Sequence, residues 1–334
     1  MSNNQAAWVD RPGEKIRIGT HDLGKPGPGE VMIKNVAVAI NPADCLLQST
    51  GGWVDKWPTI LGYDLAGEVI STGTGVNDIA LGQRVLACAL HLSLKDRAFQ
   101  QYSVVRADVV TPVTDDMTFE QAAVIPLALA TAAAGLYQKG FLDLPLPKTP
   151  PRSKVGKTIL IWGGSSSVGC AAIQLAVASG FDVVTTASTR NFGLCSDLGA
   201  RVVLDYHSSQ IKEEMIQVLR ETEVVGAFAA ISTLDTITTL AEIIAALGGG
   251  LISTTKPPPE DLPEGVFARM VGATDYAAVQ GQKLFKDYLP TALRLGAYKA
   301  APSPYVVGDG LKNIQTGIET LAKGVSASKI VVTL

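Results

Sequence analysis

Small residues at 163–169 are the part of this sequence best suited to bind a phosphate. They read Gly-Gly-Ser-Ser-Ser-Val-Gly, follow the apolar run 158–162 and precede an apolar segment that starts at Cys170. A strand, a Gly/Ser turn and a helix in this order are the setting of a dinucleotide-binding turn, because backbone N–H groups and the helix N-terminus then meet a pyrophosphate. Ser166 stands where G-x-G-x-x-G has its middle glycine, so the match is loose. A turn with a purely structural role is the alternative.

The next predicted strand, at 181–187, ends without a carboxylate. Ser188, Thr189, Arg190 and Asn191 follow it. A site for NAD usually has Asp or Glu here, about 20 residues past the glycines, to bind the ribose 2′-hydroxyl. Hydroxyls, an amide and a guanidinium suit an anionic 2′-phosphate instead. We therefore predict NADPH as the cofactor; the alternative is that Arg190 is only a solvated residue at a helix start.

The composition indicates a folded protein of two domains. The chain has 334 residues, of which 47% are hydrophobic and 18% are charged, so a large core is available. A net charge of −3 argues against a nucleic-acid partner, which usually requires a basic surface. No apolar run reaches the roughly 18 residues of a membrane span, and residues 1–5 lack the pattern of a signal peptide. We therefore expect no membrane partner and a cytoplasmic location.

Cysteine and histidine residues give little support to a metal site or a disulfide framework. The widely spaced cysteines are expected to be reduced and packed as small apolar residues. They are Cys45, Cys88, Cys170 and Cys195. The histidines are scattered at His21, His91 and His207. A zinc site made of one histidine and cysteine is the alternative.

Residues 1 to about 125 indicate a β-rich, barrel-like and mainly antiparallel unit, because β-branched runs alternate there with Gly/Pro turns. The runs span 31–40, 66–72, 83–89 and 99–105. An alanine-rich helix is predicted over 119–137, with a break at Pro126. The proline-dense segment 144–151 then predicts an extended surface loop.

The rest of the chain alternates between strand and helix, which predicts a parallel doubly wound sheet with ligands at the carboxyl ends of its strands. Strands are predicted at 158–162, 182–187, 201–204, 225–231 and 250–253. Helices are predicted at 168–179, 191–198, 209–221 and 236–246. A helix over 313–323 and a strand over 329–334 follow.

Five motifs together resemble the medium-chain dehydrogenase/reductase family. They are Gly29-Glu30-Val31, Asn41-Pro42-Ala43-Asp44, Gly62-Tyr63-Asp64-Leu65-Ala66-Gly67-Glu68-Val69, the turn at 163–169, and Ser328-Lys329-Ile330-Val331-Val332. The resemblance covers nearly the whole chain. It implies an α/β protein with a GroES-like, β-rich catalytic domain at 1–126 and 295–334. A Rossmann domain with a doubly wound parallel sheet, which binds NADPH, is implied at 127–294.

The resemblance also implies that this chain works without zinc. Zinc members carry Cys where Asn41 stands and a His-Glu pair where Tyr63 and Asp64 stand, and they hold a four-cysteine lobe, whereas Cys88 is alone here. An amide, a phenol and a carboxylate are not the N/S ligand set of tetrahedral zinc. The chemistry that suits such a site is hydride addition to an activated C=C bond, with the substrate carbonyl as electron sink.

Within the zinc-independent group, the pattern looks like the fungal trans-acting enoyl reductases, which partner polyketide synthases. It comprises Leu144-Pro145-Leu146-Pro147, the Gly/Ser turn, Ser188–Asn191 and Asp205-Tyr206. One departure is Leu46, which stands where many members have Lys.

This resemblance assigns further residues to the cofactor site. It implies that Ser165, Ser166, Ser167 and Val168 hold the pyrophosphate, that Tyr206 lies by the adenosine phosphate, and that Ser326 and Ala327 close over the cofactor. The predicted cofactor site also includes Asp44, Ser188, Thr189, Arg190, Asn191 and Thr254.

Three residues are candidates for catalysis. Asp44 is expected to contact the cofactor or orient a proton donor, or else to cap the loop after Pro42. Tyr63 is expected to protonate the enolate left by hydride transfer, or else to be a buried ring with a satisfied hydroxyl. Thr131 is expected near the nicotinamide, or else to bond its own helix backbone. Trp53 and Trp57 are candidates for an apolar pocket wall or for ordinary loop anchors.

The function predicted from these residues and the resemblance is NADPH-dependent reduction of an α,β-unsaturated thioester or ketone. The expected substrate is a polyketide intermediate, either free or bound to a carrier protein, with a polyketide synthase as partner. A quinone oxidoreductase of the ζ-crystallin type is one alternative. A protein that binds NADPH without redox turnover is another. The chain is expected to be a monomer or a homodimer.

Overall fold

The computed structural model describes residues 4–90 and 92–334, with only the backbone described for Ala278 and Val279. The strands are β1 Asn4–Val9, β2 Arg17–His21, β3 Glu30–Ala39, β4 Thr59–Ile60, β5 Asp64–Thr72, β6 Arg84–Cys88, β7 Tyr102–Arg106, β8 Val110–Pro112, β9 Lys157–Trp162, β10 Asp182–Ala187, β11 Val202–Asp205, β12 Glu223–Ala229, β13 Gly250–Thr254, β14 Val266–Met270, β15 Ser303–Asp309 and β16 Ser328–Thr333. The helices are α1 Pro42–Thr50, α2 Phe119–Ala123, α3 Pro126–Tyr137, α4 Ser167–Ala178, α5 Phe192–Asp197, α6 Ile211–Leu219, α7 Leu234–Ala246, α8 Ala273–Gly281, α9 Leu289–Arg294 and α10 Ile314–Ala322.

The chain divides into two compact units. Unit one contains the described residues of Met1–Leu127 together with Ala277–Gly296 and Ala300–Leu334. Unit two contains Ala128–Tyr276 and Ala297–Lys299. Residues from both parts of the chain that flank unit two therefore contribute to the first unit.

One boundary differs from the expectation, because Ala277–Gly296 belongs to unit one and not to the nucleotide-binding unit that was predicted to extend to residue 294. Long-range contacts decide this. The Thr111 hydroxyl donates to the Phe285 carbonyl at 2.5 Å, and the Phe285 ring is buried. The Lys286 ammonium lies 2.5 Å from the Asp78 carboxylate. The segment is helical, and its sequence contains no local pattern that indicates which unit it joins.

Unit one is built on largely antiparallel sheets. One sheet has the strand order β15-β16-β3-β5-β6-β8, with β7 also paired to β3, and a small sheet has the order β2-β1-β4. Strand β3 holds the larger sheet together, since Ala39 is in register with Asp64 of β5 and with Val331 of β16. The predicted β runs are present with ends shifted by a few residues, whereas α1 falls where no helix was predicted.

Unit two is a parallel sheet with the order β11-β10-β9-β12-β13-β14. Numbered from β9, this is the 3-2-1-4-5-6 order of the dinucleotide-binding fold, in which ligands lie beyond the carboxyl ends of the strands. Every predicted strand and helix of this half is present, and the structure adds β14, which was not predicted. The α/β fold class predicted from the sequence is therefore confirmed.

The apolar segment Phe119–Tyr137 is broken where Pro126 predicts it, between α2 and α3. Contrary to our expectation, its length and composition would suffice to cross a membrane. However, 78% of it is buried inside the protein, as in the core helix of a folded domain.

Candidate functional site

The predicted phosphate turn lies between β9 and α4, and its glycines are required by close packing. Gly163 has a φ of +86°, which side chains rarely adopt. A Cβ on Gly164 would lie 2.3 Å from Thr185 Oγ1, and one on Gly169 would lie 2.2 Å from the Gly163 carbonyl oxygen. The turn can therefore press closely against the strand edge only with these residue types.

Ser166 is the N-cap of α4. Its Oγ accepts a hydrogen bond from the Gly169 N–H at 3.1 Å and donates to the Gly163 carbonyl at 2.8 Å. The first-turn N–H groups of Ser167 and Val168 have no acceptor within the helix, as at any helix start. N–H groups without an acceptor inside the helix, together with the positive end of the helix dipole, favour the binding of an anion.

The residues predicted to recognise adenosine lie on the same edge of the sheet. The Ser188 hydroxyl donates to the Tyr206 hydroxyl at 3.1 Å, and the Asn191 amide donates to Ser165 Oγ at 3.4 Å. Thr189 and Arg190 are exposed beside them. The structure thus brings the turn and the edge after β10 into contact through Asn191 and Ser165, and their role in binding a cofactor stays a prediction.

Thr254 has its hydroxyl bonded within the protein, and its assignment to the cofactor site stays a prediction. Its side chain has no exposed surface, and its hydroxyl donates to the Lys256 carbonyl at 2.7 Å. This bond fixes the turn that follows β13. As described, the hydroxyl of Thr254 is committed to the protein backbone.

These observations pass a test of fit for a nicotinamide dinucleotide phosphate. The turn offers backbone donors and leaves no room for added side chains at its glycines. The edge after β10 offers hydroxyl, amide and guanidinium groups between Ser188 and Asn191. A pyrophosphate matches the first set and an anionic phosphate on the ribose matches the second.

Unit one contains a buried polar cluster at the positions where zinc members have metal ligands. The Asn41 amide donates to Asp64 Oδ2 at 2.9 Å, and the Lys329 ammonium lies 2.9 Å from the same oxygen and 2.5 Å from Asn41 Oδ1. Asp64 Oδ1 accepts the Leu127 N–H at 2.6 Å. Lys329 is 4% exposed and Asp64 is 0% exposed, so the pair is withdrawn from water.

The donor set of this cluster does not fit zinc. A lysine ammonium already neutralises Asp64 and occupies the acceptor of Asn41, and zinc requires deprotonated nitrogen, sulfur or oxygen ligands. In the part of the chain that the structure describes, no group of three or more His, Cys, Asp or Glu is placed to hold a metal. His91, one of the scattered histidines, lies outside the described residues.

Asp44 caps α1. Its Oδ2 accepts the Asn41 N–H at 2.8 Å and its Oδ1 accepts the Gly62 N–H at 3.0 Å. The side chain has no exposed surface, so both oxygens serve the protein and the capping alternative describes its contacts. Burial, with a smaller contribution from the Asp64 carboxylate, raises the pKa of Asp44 to about 7. Asp44 therefore ties the loop at Asn41 to the segment before Tyr63.

The raised pKa of Asp44 predicts how an Asp44→Asn variant responds to pH. Folded protein holds the Asp44 proton more tightly than unfolded protein, whose ordinary pKa is 3.8. This contribution to stability is fully present below pH 3.8 and is lost as pH rises through about 7. The variant lacks the titration. The free energy of unfolding of native protein minus that of the variant should therefore fall by about 2–3 kcal/mol between pH 5 and pH 8. Urea unfolding across this range measures the difference, and a constant difference would contradict the shift.

The Tyr63 phenol is almost fully buried in unit one. Burial raises its pKa, the neighbouring Asp44 carboxylate raises it further, and a hydrogen bond from Trp53 opposes both. The phenol therefore stays protonated at neutral pH, as a proton donor requires. The exposed ring of Trp53 makes this contact, so Trp53 anchors Tyr63 whether or not it also lines a pocket.

The remaining candidates occupy separate places in the chain. Thr131 lies in α3 within unit two and is 9% exposed. Ser326 and Ala327 lie in unit one just before β16, where Ala327 adopts a φ of +47°. The structure brings Asp44 and Tyr63 together within unit one, and it leaves the predicted roles of Thr131, Ser326 and Ala327 as predictions.

Two groups of residues were named from the sequence but were given no role there. Lys329 was noted only as part of a strand motif, although a lysine inside an apolar run was the available signal. Asp205 and His207 flank Tyr206, and the Asp205 carboxylate accepts both the backbone N–H and the ring Nδ1 of His207. Their spacing alone did not show that they form one unit with Tyr206.

Comparisons with known proteins agree with this architecture. The family model described as "Alcohol dehydrogenase GroES-like domain" matches residues 27–115. The chain is 38% identical to "Trans-enoyl reductase himH" of Aspergillus japonicus, over 98% of this chain and 97% of that protein. Among solved structures it is similar to the CurK enoyl reductase, with a TM-score of 0.78, 17% identity and 99% of each chain covered. It is also similar to mycobacterial Rv1454c in complex with NADPH, with a TM-score of 0.73, 23% identity, and 99% of this chain and 100% of that chain covered.

The protein thus combines a GroES-like unit with a Rossmann-type unit. This combination defines a class of two-domain proteins whose parallel sheet is of the dinucleotide-binding type. Within that class, the identity shared with its relatives over nearly its full length is decisive. The chain belongs to the medium-chain dehydrogenase/reductase family.

Proposed function

We propose that this protein catalyses NADPH-dependent reduction of an activated C=C bond in an enoyl thioester or enone. The observation that carries the proposal is the buried cluster in unit one, where the Lys329 ammonium binds both Asn41 and Asp64 at the positions of the zinc ligands. A donor set closed by an ammonium offers no Lewis acid to an alcohol or ketone. An α,β-unsaturated carbonyl compound needs none, because its own carbonyl accepts the developing charge.

Bound NADPH would supply the hydride, and the protein would supply position and protons. Ser166 shapes the turn, and the N–H groups of Ser167 and Val168 are available to the pyrophosphate. In unit one, Asp44 and Trp53 hold the segment that carries Tyr63. We infer that Tyr63, Thr131 or water delivers the proton to the α-carbon of the substrate enolate.

Preference for NADPH over NADH rests on Arg190. Replacing Arg190 by Ala should weaken NADPH binding by about 1.5–3 kcal/mol, the range for a hydrogen bond to a charged group, and should leave NADH binding nearly unchanged. Fluorescence titration with each nucleotide measures both affinities. Arg220→Ala, which removes another exposed arginine of unit two, is the matched control. Equal losses for the two nucleotides would show that Arg190 does not recognise the 2′-phosphate.

The proton donor can be identified with two conservative variants. Tyr63→Phe keeps the buried ring and removes the hydroxyl, and Thr131→Val does the same for the threonine. The variant that lacks the donor should lose about a hundredfold in turnover of an enoyl thioester, with NADPH affinity little changed. Water acting in place of the side chain would make the loss smaller. Full activity in both variants would exclude both residues as donors.

Relatives named trans-enoyl reductases support a polyketide intermediate as the substrate. We propose that the substrate reaches this enzyme as a thioester, free or on a carrier protein, in partnership with a polyketide synthase in the cytoplasm. Leu46, which replaces a lysine common in such enzymes, lies on α1 and is 45% exposed. We propose that the reaction proceeds without a lysine at this position.

The experiment that tests the function is NADPH oxidation, followed optically, with an enoyl thioester and a quinone offered separately. Faster turnover of the thioester supports the proposal, and faster turnover of the quinone would favour a quinone oxidoreductase. NADPH binding without consumption of either acceptor would favour a protein without redox turnover.

A further inference from the structure

Asp205, the last residue of β11, and the next two residues, Tyr206 and His207, make a series of contacts that ends at Ser188. The Nδ1 atom of His207 lies 2.8 Å from Asp205 Oδ1, and the His207 backbone N–H donates to the same oxygen at 3.0 Å. The His207 ring packs on the Tyr206 ring, with 4.0 Å between centroids and 32° between planes. The Tyr206 hydroxyl then accepts the hydrogen bond from Ser188. This series of contacts therefore links the Asp205 carboxylate, at the end of β11, to the Ser188 hydroxyl, after the end of β10.

Parallel pairing of β10 and β11 explains why these residues meet. Ala187 is in register with Asp205, so the residues after each strand emerge side by side at the carboxyl edge of the sheet. Ser188 follows β10 directly, and Tyr206 and His207 follow β11. This is the edge on which the sheet places its ligand.

The Tyr206 side chain needs support because the core does not hold it. It is 43% exposed, so its orientation depends on its contacts with His207 and Ser188. His207 is itself 60% exposed and is held by its double link to Asp205. Bonding to His207 also lowers the pKa of Asp205, so this carboxyl is ionised and keeps accepting from the imidazole.

The Tyr206 hydroxyl is arranged as a donor. Because Ser188 donates to the phenol oxygen, the phenol proton is left for another acceptor. Arg190 and Thr189 are exposed next to Ser188. A guanidinium and hydroxyl donors on one edge are the groups that bind a phosphate monoester.

We propose that His207, anchored on Asp205, is a positioning residue that holds the Tyr206 hydroxyl in place to donate to the 2′-phosphate of the cofactor. The inference rests on the proposed use of NADPH and adds the residues that set this specificity. His207 makes no contact with the phosphate in this arrangement. It acts through Tyr206, so its removal matters only while the Tyr206 hydroxyl is present.

The test uses two probes that differ by one phosphate and lack the nicotinamide. Binding of 2′,5′-ADP and of 5′-ADP to the full chain is measured by calorimetry. His207→Ala and Tyr206→Phe should each weaken 2′,5′-ADP binding about 10- to 100-fold, the range for one hydrogen bond to a charged group, and leave 5′-ADP binding within about twofold. The double variant should bind 2′,5′-ADP as Tyr206→Phe does, because the hydroxyl that His207 positions is already gone.

One further variant, checked by circular dichroism, separates the stacking contact on Tyr206 from the link to Asp205. His207→Phe keeps a ring on Tyr206 and loses the link to Asp205, so its 2′,5′-ADP affinity should lie between those of native protein and His207→Ala. His207 is on the surface, and circular dichroism should show each variant folded. Restored affinity in His207→Phe supports the stacking contact, and affinity equal to that of His207→Ala assigns the effect to the Asp205 link. Both outcomes support the positioning role.

Other outcomes overturn the inference. Unchanged 2′,5′-ADP affinity in His207→Ala, equal losses for both probes, or additive losses in the double variant would each show that His207 does not act through the Tyr206 hydroxyl. If native protein binds the two probes equally, the assignment of NADPH fails and the inference fails with it. If native protein prefers 2′,5′-ADP and His207→Ala keeps that preference, only the inference fails.

Discussion

Replacing Lys329 by Met should lower the free energy of unfolding by about 3–5 kcal/mol, because it leaves the Asp64 carboxylate buried without its cation. Asn41 loses the donor to its carbonyl oxygen in the same step. Methionine fits the space of the lysine stem, so lost packing contributes little. Urea unfolding followed by tryptophan fluorescence reports the change, since Trp8, Trp53 and Trp57 all lie in unit one.

The ion pair predicts a specific pattern across variants. Lys329→Met combined with Asp64→Asn should lower the free energy of unfolding by less than the sum of the two single changes. Lys329→Met leaves the Asp64 carboxylate unpaired, and Asp64→Asn removes that charge. Lys323→Met, at an exposed lysine of unit one, is the matched control and should change stability by less than about 0.5 kcal/mol. A loss below 1 kcal/mol for Lys329→Met, or strictly additive losses, would contradict a structural role for the pair.

Replacing Ser166 by Leu should abolish NADPH binding while the protein stays folded. Ser166 lies in the turn where the backbone must approach a pyrophosphate, so a bulky side chain there clashes with the ligand. The change also removes the N-cap of α4, which costs about 1 kcal/mol of stability. Titration of NADPH fluorescence gives the affinity, and thermal unfolding shows whether the fold is kept.

Ser166→Ala separates the two effects. It removes the cap without adding bulk, so it should lose a similar amount of stability but keep NADPH binding within about tenfold of native protein. If the leucine variant retains micromolar affinity, the phosphates bind elsewhere. If the alanine variant loses binding as completely as the leucine variant, then the cap and not the free space is what the nucleotide requires.

Unit two was predictable because its signals are local. Apolar strands, Gly/Ser turns and helices alternate at short range along the chain. The presence of β9 to β13, with a helix between each pair, follows from that alternation. Even there, β14 was missed, since its residues are mostly exposed and carry no buried run. The donors at Ser188–Asn191 could likewise be named from the sequence, because their place after a strand defines their place in the fold.

Unit one was less predictable because pairing across the chain decides it. The Asp44 carboxylate also accepts the N–H of Gly62, which lies 18 residues away, and no local pattern indicates this contact. Residues 277–296 join this unit through contacts such as Thr111 with Phe285, 174 residues apart. No short window of sequence contains both partners, so the sequence held no local reason to assign Ala277–Gly296 to unit one.

The sequence alone determined the α/β class, the Gly/Ser turn between a strand and a helix, and the lack of a carboxylate after β10, since each depends on residue type and near neighbours. Only the tertiary structure decided which side chain contacts Asn41 and Asp64, at the positions where zinc members have ligands. Strand β3 pairs with β5 on one side and β16 on the other, and this brings Lys329 to Asn41 across 288 residues. A buried carboxylate must find a counter-charge, and the sheet, rather than the local sequence, supplies the lysine that provides it.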